Sequence, residues 1–189
     1  MQHTIRIGIS GAQGSFSEEA ARQYIAKNNI VEPHIEYLVS FAPLFDALEK
    51  GTVDQALFPL HNTTMRLVEP ALRTLAEHKC TLLQVFELDV QQCLLTLPGK
   101  TKKDIDRIVS MEPALKQCPQ YIHREFPHAR VETYSDTAQA AADLAAGKFS
   151  DTTAVIAPKG CAALYHLDLL EEGIQDLKFN YTSFLVVKK

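Results

Sequence analysis

Strand-like and helix-like segments alternate along this chain, and that alternation restricts it to folds in which helices cover sheets. Residues 5–10 form a short apolar strand within the opening MQHTIRIGIS. The glycine turn Gly11-Ala12-Gln13-Gly14 follows, and a helix opens at Ser15, where Ser15 and Glu18 have capping-box spacing. Residues 35–39 read as a second strand. Ser40 is placed to cap a helix through Phe41, Leu44, Phe45 and Leu48 that stops near Gly51. Residues 55–60 form a third strand, followed by a polar loop at His61-Asn62-Thr63-Thr64, and residues 68–78 carry helical apolar spacing. Residues 81–97 are a long β-rich run ending at Pro98-Gly99, read as the crossover into a second lobe. That lobe contains strands at 107–109 and 130–134 and helices at 113–126 and 137–146. A strand at 153–157, a helix at 159–165 and a strand at 183–187 complete the chain. The last segment is expected back in the first lobe, because the long β run needs a partner. The expectation is an α/β fold with largely parallel pairing and two small lobes, the chain crossing between them twice. Lobe one takes in approximately residues 1–80 and 155–189, and lobe two approximately 85–154.

At 189 residues the chain has room for one ordinary domain or two such lobes, and 46% hydrophobic with 22% charged residues excludes a disordered protein. A formal charge of −4 supplies no large positive field, so nucleic acid and anionic membrane are not expected partners. No stretch approaches a bilayer-spanning length, and the first residues lack a basic-then-apolar leader, which points to the cytoplasm. Cys80, Cys93, Cys118 and Cys161 form no C-x-x-C pair and are expected reduced. The histidines do not fall at metal-ligand spacing (His123 and His128 are the nearest pair in the second half), so no metal is expected.

Three segments can carry chemistry. The glycine turn ahead of a helix presents backbone N–H groups suited to phosphate or carboxylate. Gly8, Gly11 and Gly14 lie at G-x-x-G-x-x-G spacing, and the second strand ends in Val39-Ser40 without the acid a dinucleotide fold uses, so no nucleotide cofactor is expected. A tight turn capped by Ser15 accounts for the same residues. His61-Asn62-Thr63-Thr64 sits at the carboxyl end of a strand, where open α/β sheets build their sites; a solvated turn around Asn62 is the alternative. Asn180-Tyr181-Thr182-Ser183-Phe184 precedes an apolar strand and reads equally as a plain strand entry.

Taken together these segments resemble the prephenate dehydratase family. Gly11-Ala12-Gln13-Gly14-Ser15-Phe16-Ser17 is similar to the family's G-P-x-G-T-F-S, and Pro59-Leu60-His61-Asn62-Thr63 stands where the family has P-I-E-N-S. Residues 110–118, Ser-Met-Glu-Pro-Ala-Leu-Lys-Gln-Cys, are in frame with S-H-P-Q-A-L-x-Q-C, and residues 136–141 with S-T-A-x-A-A. Ala154-Val155-Ile156-Ala157, Tyr165-His166-Leu167 and Ile174-Gln175-Asp176 resemble A-A-I-A, Y-G-L and I-Q-D; Asn180 to Phe184 resembles N-x-T-R-F. Order and spacing hold over essentially the whole chain. The departures are as informative: His61 replaces Glu, Thr63 replaces Ser, Arg66 replaces a glycine, Met111-Glu112-Pro113 replaces His-Pro-Gln, and Ser183 replaces Arg.

The resemblance implies two α/β lobes with a cleft between them, as in periplasmic binding proteins, and a lyase acting on prephenate or a similar dicarboxylate. It implies His61, Asn62 and Thr182 as catalytic residues. Gly14, Ser15, Thr63, Arg66, Gln117, Thr137, Ser183 and Phe184 would bind substrate. No cofactor, no regulatory domain and a homodimer are further expectations. In the family the Thr of T-R-F lies near the ring hydroxyl that leaves as water while carbon dioxide departs. A second branch, the prephenate decarboxylases of antibiotic pathways, loses carbon dioxide, protonates the ring and keeps the hydroxyl. The altered P-E-N-S and T-R-F segments resemble that branch, and the imidazole of His61 suits it as proton donor. The decarboxylase is the favoured expectation, the dehydratase its close alternative, and a non-catalytic carboxylate binder the third. For a substrate with two carboxylates, the Gly11–Ser15 turn is expected to furnish N–H groups for one and Arg66 to supply for the other the charge that Ser183 does not.

Overall fold

The computed structural model describes residues 4–189. The described residues divide into two compact units: one is built from residues 4–89 and 181–189, the other from 90–180.

The first unit is a twisted mixed sheet with helices on both faces. Its strands are β1 (Arg6–Ile9), β2 (His34–Tyr37), β3 (Gln55–Asn62), β4 (Arg66–Leu67), β5 (Thr81–Asp89) and β11 (Tyr181–Lys188), in the order β2-β1-β3-β11-β5 with β4 against β3. Pairing of β1 with β2 and β3 is parallel, as the strand–helix alternation predicts. The pairing of β11 with β3 and β5 is antiparallel, so the expectation of largely parallel strands holds for only part of the sheet.

Helix α1 (Phe16–Lys27) buries Ala20, Ala21 and Tyr24 on one face. There Tyr24 stacks on Phe86 with ring centres 6.2 Å apart, and Phe86 stacks in turn on Phe184. Helices α2 (Phe41–Lys50) and α3 (Glu69–Glu77) cover the other face, where Leu44, Phe45, Leu48 and Ala71 pack on Ala56, Phe58, Leu185 and Val187. Gly51 ends α2 in the left-handed region, as its position predicts.

Glu18 ties α1 to the glycine turn. Ser15 accepts the Glu18 N–H as a capping box requires, but Glu18 bonds the Gly14 N–H at 2.5 Å. Arg22 takes its other oxygen. Burial works to raise the Glu18 carboxyl, and the Gly14 N–H, Arg22 and Tyr37 outweigh it, leaving the group below its usual range. A lowered carboxyl contributes stability above its unfolded value, and that contribution is lost as pH falls through the folded value. Glu18→Gln is therefore expected to lower Tm at pH 7 and to narrow its deficit against wild type as pH drops below about 4.5; a deficit constant across pH 7 to 3 contradicts this.

The second unit is a five-stranded sheet of β6 (Cys93–Thr96), β7 (Arg107–Met111), β8 (Arg130–Tyr134), β9 (Thr153–Ala157) and β10 (Asp168–Glu172), ordered β10-β6-β9-β7-β8. Helices α4 (Glu112–Gln117), α5 (Pro119–Glu125), α6 (Thr137–Ala145) and α7 (Gly160–Tyr165) accompany it. A single helix expected at 113–126 is two, because Pro119 cannot continue the first and Cys118 leaves the helical region. The core gathers Leu94, Ile108, Cys118, Tyr121, Ile122, Phe126 and Ile156.

The expected lobe boundaries need correction at both crossings. The β-rich run divides: β5 completes the first sheet beside β11, and β6 belongs to the second sheet, paired with β9 and β10. The return comes at 181 and not near 155, because β9 is held between β6 and β7 in the second sheet. Strand β10, unforeseen in the sequence reading, pairs with β6 through a bulge near Leu170.

Candidate functional site

In the first unit the expected site residues sit where β3 and β11 end side by side. Residues 61 and 62, read from sequence as a loop, are strand: His61 pairs with Ser183 and Asn62 with Thr182. Side chains directly opposite in an antiparallel ladder share a face, and successive residues alternate. Ser183 thus follows Leu185 and Val187 toward the α2/α3 face, and Thr182 follows Phe184 and Val186 toward the α1 face. On β3 the same division is restored by a bulge at Leu60, between the pairs Pro59–Phe184 and His61–Ser183. The ladder therefore groups Asn62 with Thr182 and, on the opposite face, His61 with Ser183.

Asn62 and Thr182 are buried at 6% and 8% exposure. Asn62 Oδ1 accepts from the N–H groups of Thr64 and Met65, which fixes the turn after β3. Its Nδ2 donates to the Tyr181 carbonyl at 3.2 Å and to Thr182 Oγ1 at 2.8 Å. The backbone partners determine which end of the amide is which. Thr182 consequently accepts from Asn62, and its own hydroxyl proton has no acceptor among the described residues.

Thr63 closes the same turn, donating its N–H to the Tyr181 carbonyl and accepting the Tyr181 N–H on Oγ1. Arg66 stands across from Asn62 on β4, exposed, with a positive φ of 66°, and makes no ion pair among the described residues. Phe184 is 1% exposed and stacked on Phe86, a core position that offers no ring face to a ligand.

The glycine turn is less open to an anion than its sequence suggests. Gly14, at a φ of 86° that disfavours any side chain, gives its N–H to Glu18, and the Ser15 N–H goes to the Ala12 carbonyl. A Cβ at Gly11 would collide with Ser15 Oγ, so this glycine keeps the capping serine in place. Two of the donors that would cradle a carboxylate are thus satisfied internally, beside a buried negative charge.

In the second unit Gln117 ends α4 in a network of buried amides. Gln92, Gln117, Gln175 and Asn180 are all under 8% exposed. Gln117 Oε1 accepts from Gln92 Nε2 and from Asn180 Nδ2, each at 2.9 Å. Gln175 Oε1 takes the Gln92 N–H at 3.0 Å, and the Gln117 carbonyl takes the Asp176 N–H. Thr137 opens α6 behind its cap Asp136, buried at 8% exposure. The sequence reading named Gln117 and Thr137 but missed Gln92; the available signal was an amide pair, Gln91-Gln92, inside an apolar β run.

Comparison with known proteins extends the match to the whole fold. Arogenate dehydratase 5, chloroplastic, of Arabidopsis thaliana is 32% identical over 186 residues, covering 98% of this chain and 42% of that protein. The bifunctional chorismate mutase/prephenate dehydratase of Escherichia coli (strain K12) is 29% identical over 188 residues, covering 99% and 48%. The chain thus spans under half the length of these relatives. The crystal structure of prephenate dehydratase in complex with L-Phe from Arthrobacter aurescens shares the fold with a TM-score of 0.86 at 23% identity, over 98% of this chain and 60% of that one. The prephenate dehydratase family model matches residues 7–189, and the chain belongs to the prephenate dehydratase family.

Proposed function

We propose that this chain is a decarboxylating lyase of prephenate-type substrates and that it follows the dehydratase course. The observation that carries the reading is the Thr182 hydroxyl, held as an acceptor by Asn62 so that its proton is available to a ligand oxygen. In prephenate the bond from the ring to its carboxylate breaks and carbon dioxide leaves. The electron pair moves through the ring and expels the opposite hydroxyl, which takes a proton and departs as water. Thr182 supplies the hydrogen bond and proton to that leaving oxygen and is reprotonated from solvent. The product is phenylpyruvate. Arogenate, the substrate in the names of several relatives, is a second candidate of this type. Arg66, across from Asn62 and without an ion pair among the described residues, supports the reading as a carboxylate partner.

One observation favours a second reading, the non-aromatising decarboxylase. Where the family pattern has Glu and Arg, this chain has His61 and Ser183, and these two positions are opposite each other in the ladder. The His61 imidazole and the Ser183 hydroxyl share that face, and the imidazole is the candidate proton donor there. Asn62 and Thr182, on the other face, favour the dehydratase, because the Thr182 hydroxyl accepts from Asn62 and leaves its proton for a ligand oxygen.

Incubation with prephenate, with products identified by ultraviolet absorbance and mass, tests both readings. Phenylpyruvate above the acid-catalysed background is expected, with little change on His61→Ala. A dihydro-hydroxyphenylpyruvate that retains the oxygen, lost by roughly 10²-fold or more in His61→Ala, establishes the decarboxylase. Binding without turnover leaves the chain a carboxylate binder.

A further inference from the structure

The amide network of the second unit fixes which end of Gln117 a ligand can meet. Carboxamide ends are interchangeable in shape, so their orientation must be deduced from partners whose character is fixed. Here the deduction starts at a backbone carbonyl. Val90 O can only accept, and Asn180 lies 2.9 Å from it, so the atom facing it is Asn180 Nδ2. The same NH2 group faces Gln117 at 2.9 Å, so Gln117 must turn its oxygen inward. Gln92 approaches that oxygen as well, and must therefore present its own NH2. A flipped Gln117 would set an N–H group against the N–H groups of both neighbours.

This leaves two groups over. The Gln92 Oε1 atom is buried with no partner among the described residues. Gln117 Nε2 is the remaining donor of the network, and among the described residues it donates to nothing. An unsatisfied buried acceptor is destabilising. The arrangement is thus not explained by local hydrogen bonding alone, since an apolar side chain at 92 would avoid that cost.

From this we infer that Gln92 is a positioning residue: with Asn180 it locks the Gln117 carboxamide so that Gln117 itself offers a ligand N–H donors and no acceptor. The inference rests on the substrate-binding reading of Gln117. It adds a selection rule: the group that meets Gln117 is a carboxylate or carbonyl oxygen and not an ammonium or hydroxyl proton. Gln92 touches no reacting atom; it acts by saturating Gln117 Oε1.

Two variants at one position test this, with steady-state kinetics on prephenate. Gln92→Met removes the donor and keeps the length, so KM is expected to rise about tenfold or more with kcat little changed. Gln92→Glu gives the inference a readout that a packing role lacks. Its carboxyl donates to Gln117 Oε1 when protonated and repels it when ionised. KM in this variant should stay near wild type at low pH and rise at least tenfold as the buried carboxyl ionises, while wild-type KM follows no such step. KM within twofold of wild type in Gln92→Met, or a pH-independent KM in Gln92→Glu, overturns the inference. If the wild-type protein does not turn over prephenate, the lyase reading fails, and the orientation is decided by side-chain amide exchange in 15N-labelled protein. Faster solvent exchange of the Gln117 NH2 than of the Gln92 and Asn180 NH2 groups supports the lock. A Gln117 NH2 as protected as theirs refutes it.

Discussion

Thr182→Val is expected to lower kcat for prephenate by about 10²- to 10⁴-fold, the range of general acid catalysis, with KM changed far less. Valine has nearly the shape of threonine and keeps the β-branched preference of the strand, so β11 should retain its ladder with β3 and β5. What disappears is the hydroxyl that accepts from Asn62 and holds its proton ready. Asn62 Nδ2 keeps its bond to the Tyr181 carbonyl, so the buried amide is not orphaned and stability should fall by only about 1 kcal/mol. Thr182→Ser, which restores the hydroxyl, should recover activity to within about tenfold of wild type. Measured together, the two variants separate the hydroxyl from the side-chain volume. Full activity in Thr182→Val removes Thr182 from the chemistry and shifts the reading to His61 on the other face.

Asn62→Asp is expected to lower kcat by about 10²- to 10³-fold through the same hydroxyl, with no atom of Thr182 changed. One carboxylate oxygen can still accept from the Thr64 and Met65 N–H groups, so the turn after β3 is kept. The other oxygen replaces a donor that served Thr182 Oγ1 and the Tyr181 carbonyl. An ionised carboxylate cannot donate, so the only hydrogen bond open to the pair is from the Thr182 hydroxyl to the new carboxylate. The proton that should meet the leaving oxygen is then turned inward. The loss should ease at low pH, where a protonated carboxyl donates to Thr182 as the amide does. A variant with wild-type kcat at pH 7 would show that the direction of the Asn62–Thr182 bond does not matter to the reaction.

Much of this protein was readable without coordinates because the signals are local. The Ser15 cap, the Gly51 stop and the apolar strands at 55–60 and 153–157 follow from residue chemistry within a few positions of each element. Gln117 and Thr182, carried over from motif resemblance, are buried and hydrogen-bonded. The glycine turn shows where local reading ends. Its spacing suggested an anion cradle, and the competing acceptor, the Glu18 carboxylate, lies only one helical turn away but takes the N–H of Gly14 and not that of the cap residue.

The sequence by itself determined the alternating α/β elements, the family and the identity of the polar residues at the ends of the strands. Tertiary structure alone decided the crossing points at 90 and 180, the faces and the partners. Side-chain direction in a strand depends on register, and register is set across pairs some 120 residues apart, here by a bulge at Leu60 that no neighbouring residue announces. For that reason His61 and Asn62, adjacent in sequence and read as one polar loop, point to opposite faces. The Gln92–Gln117–Asn180 network likewise joins residues from three separate segments, and the direction of its bonds follows from one backbone carbonyl that only the fold brings within reach.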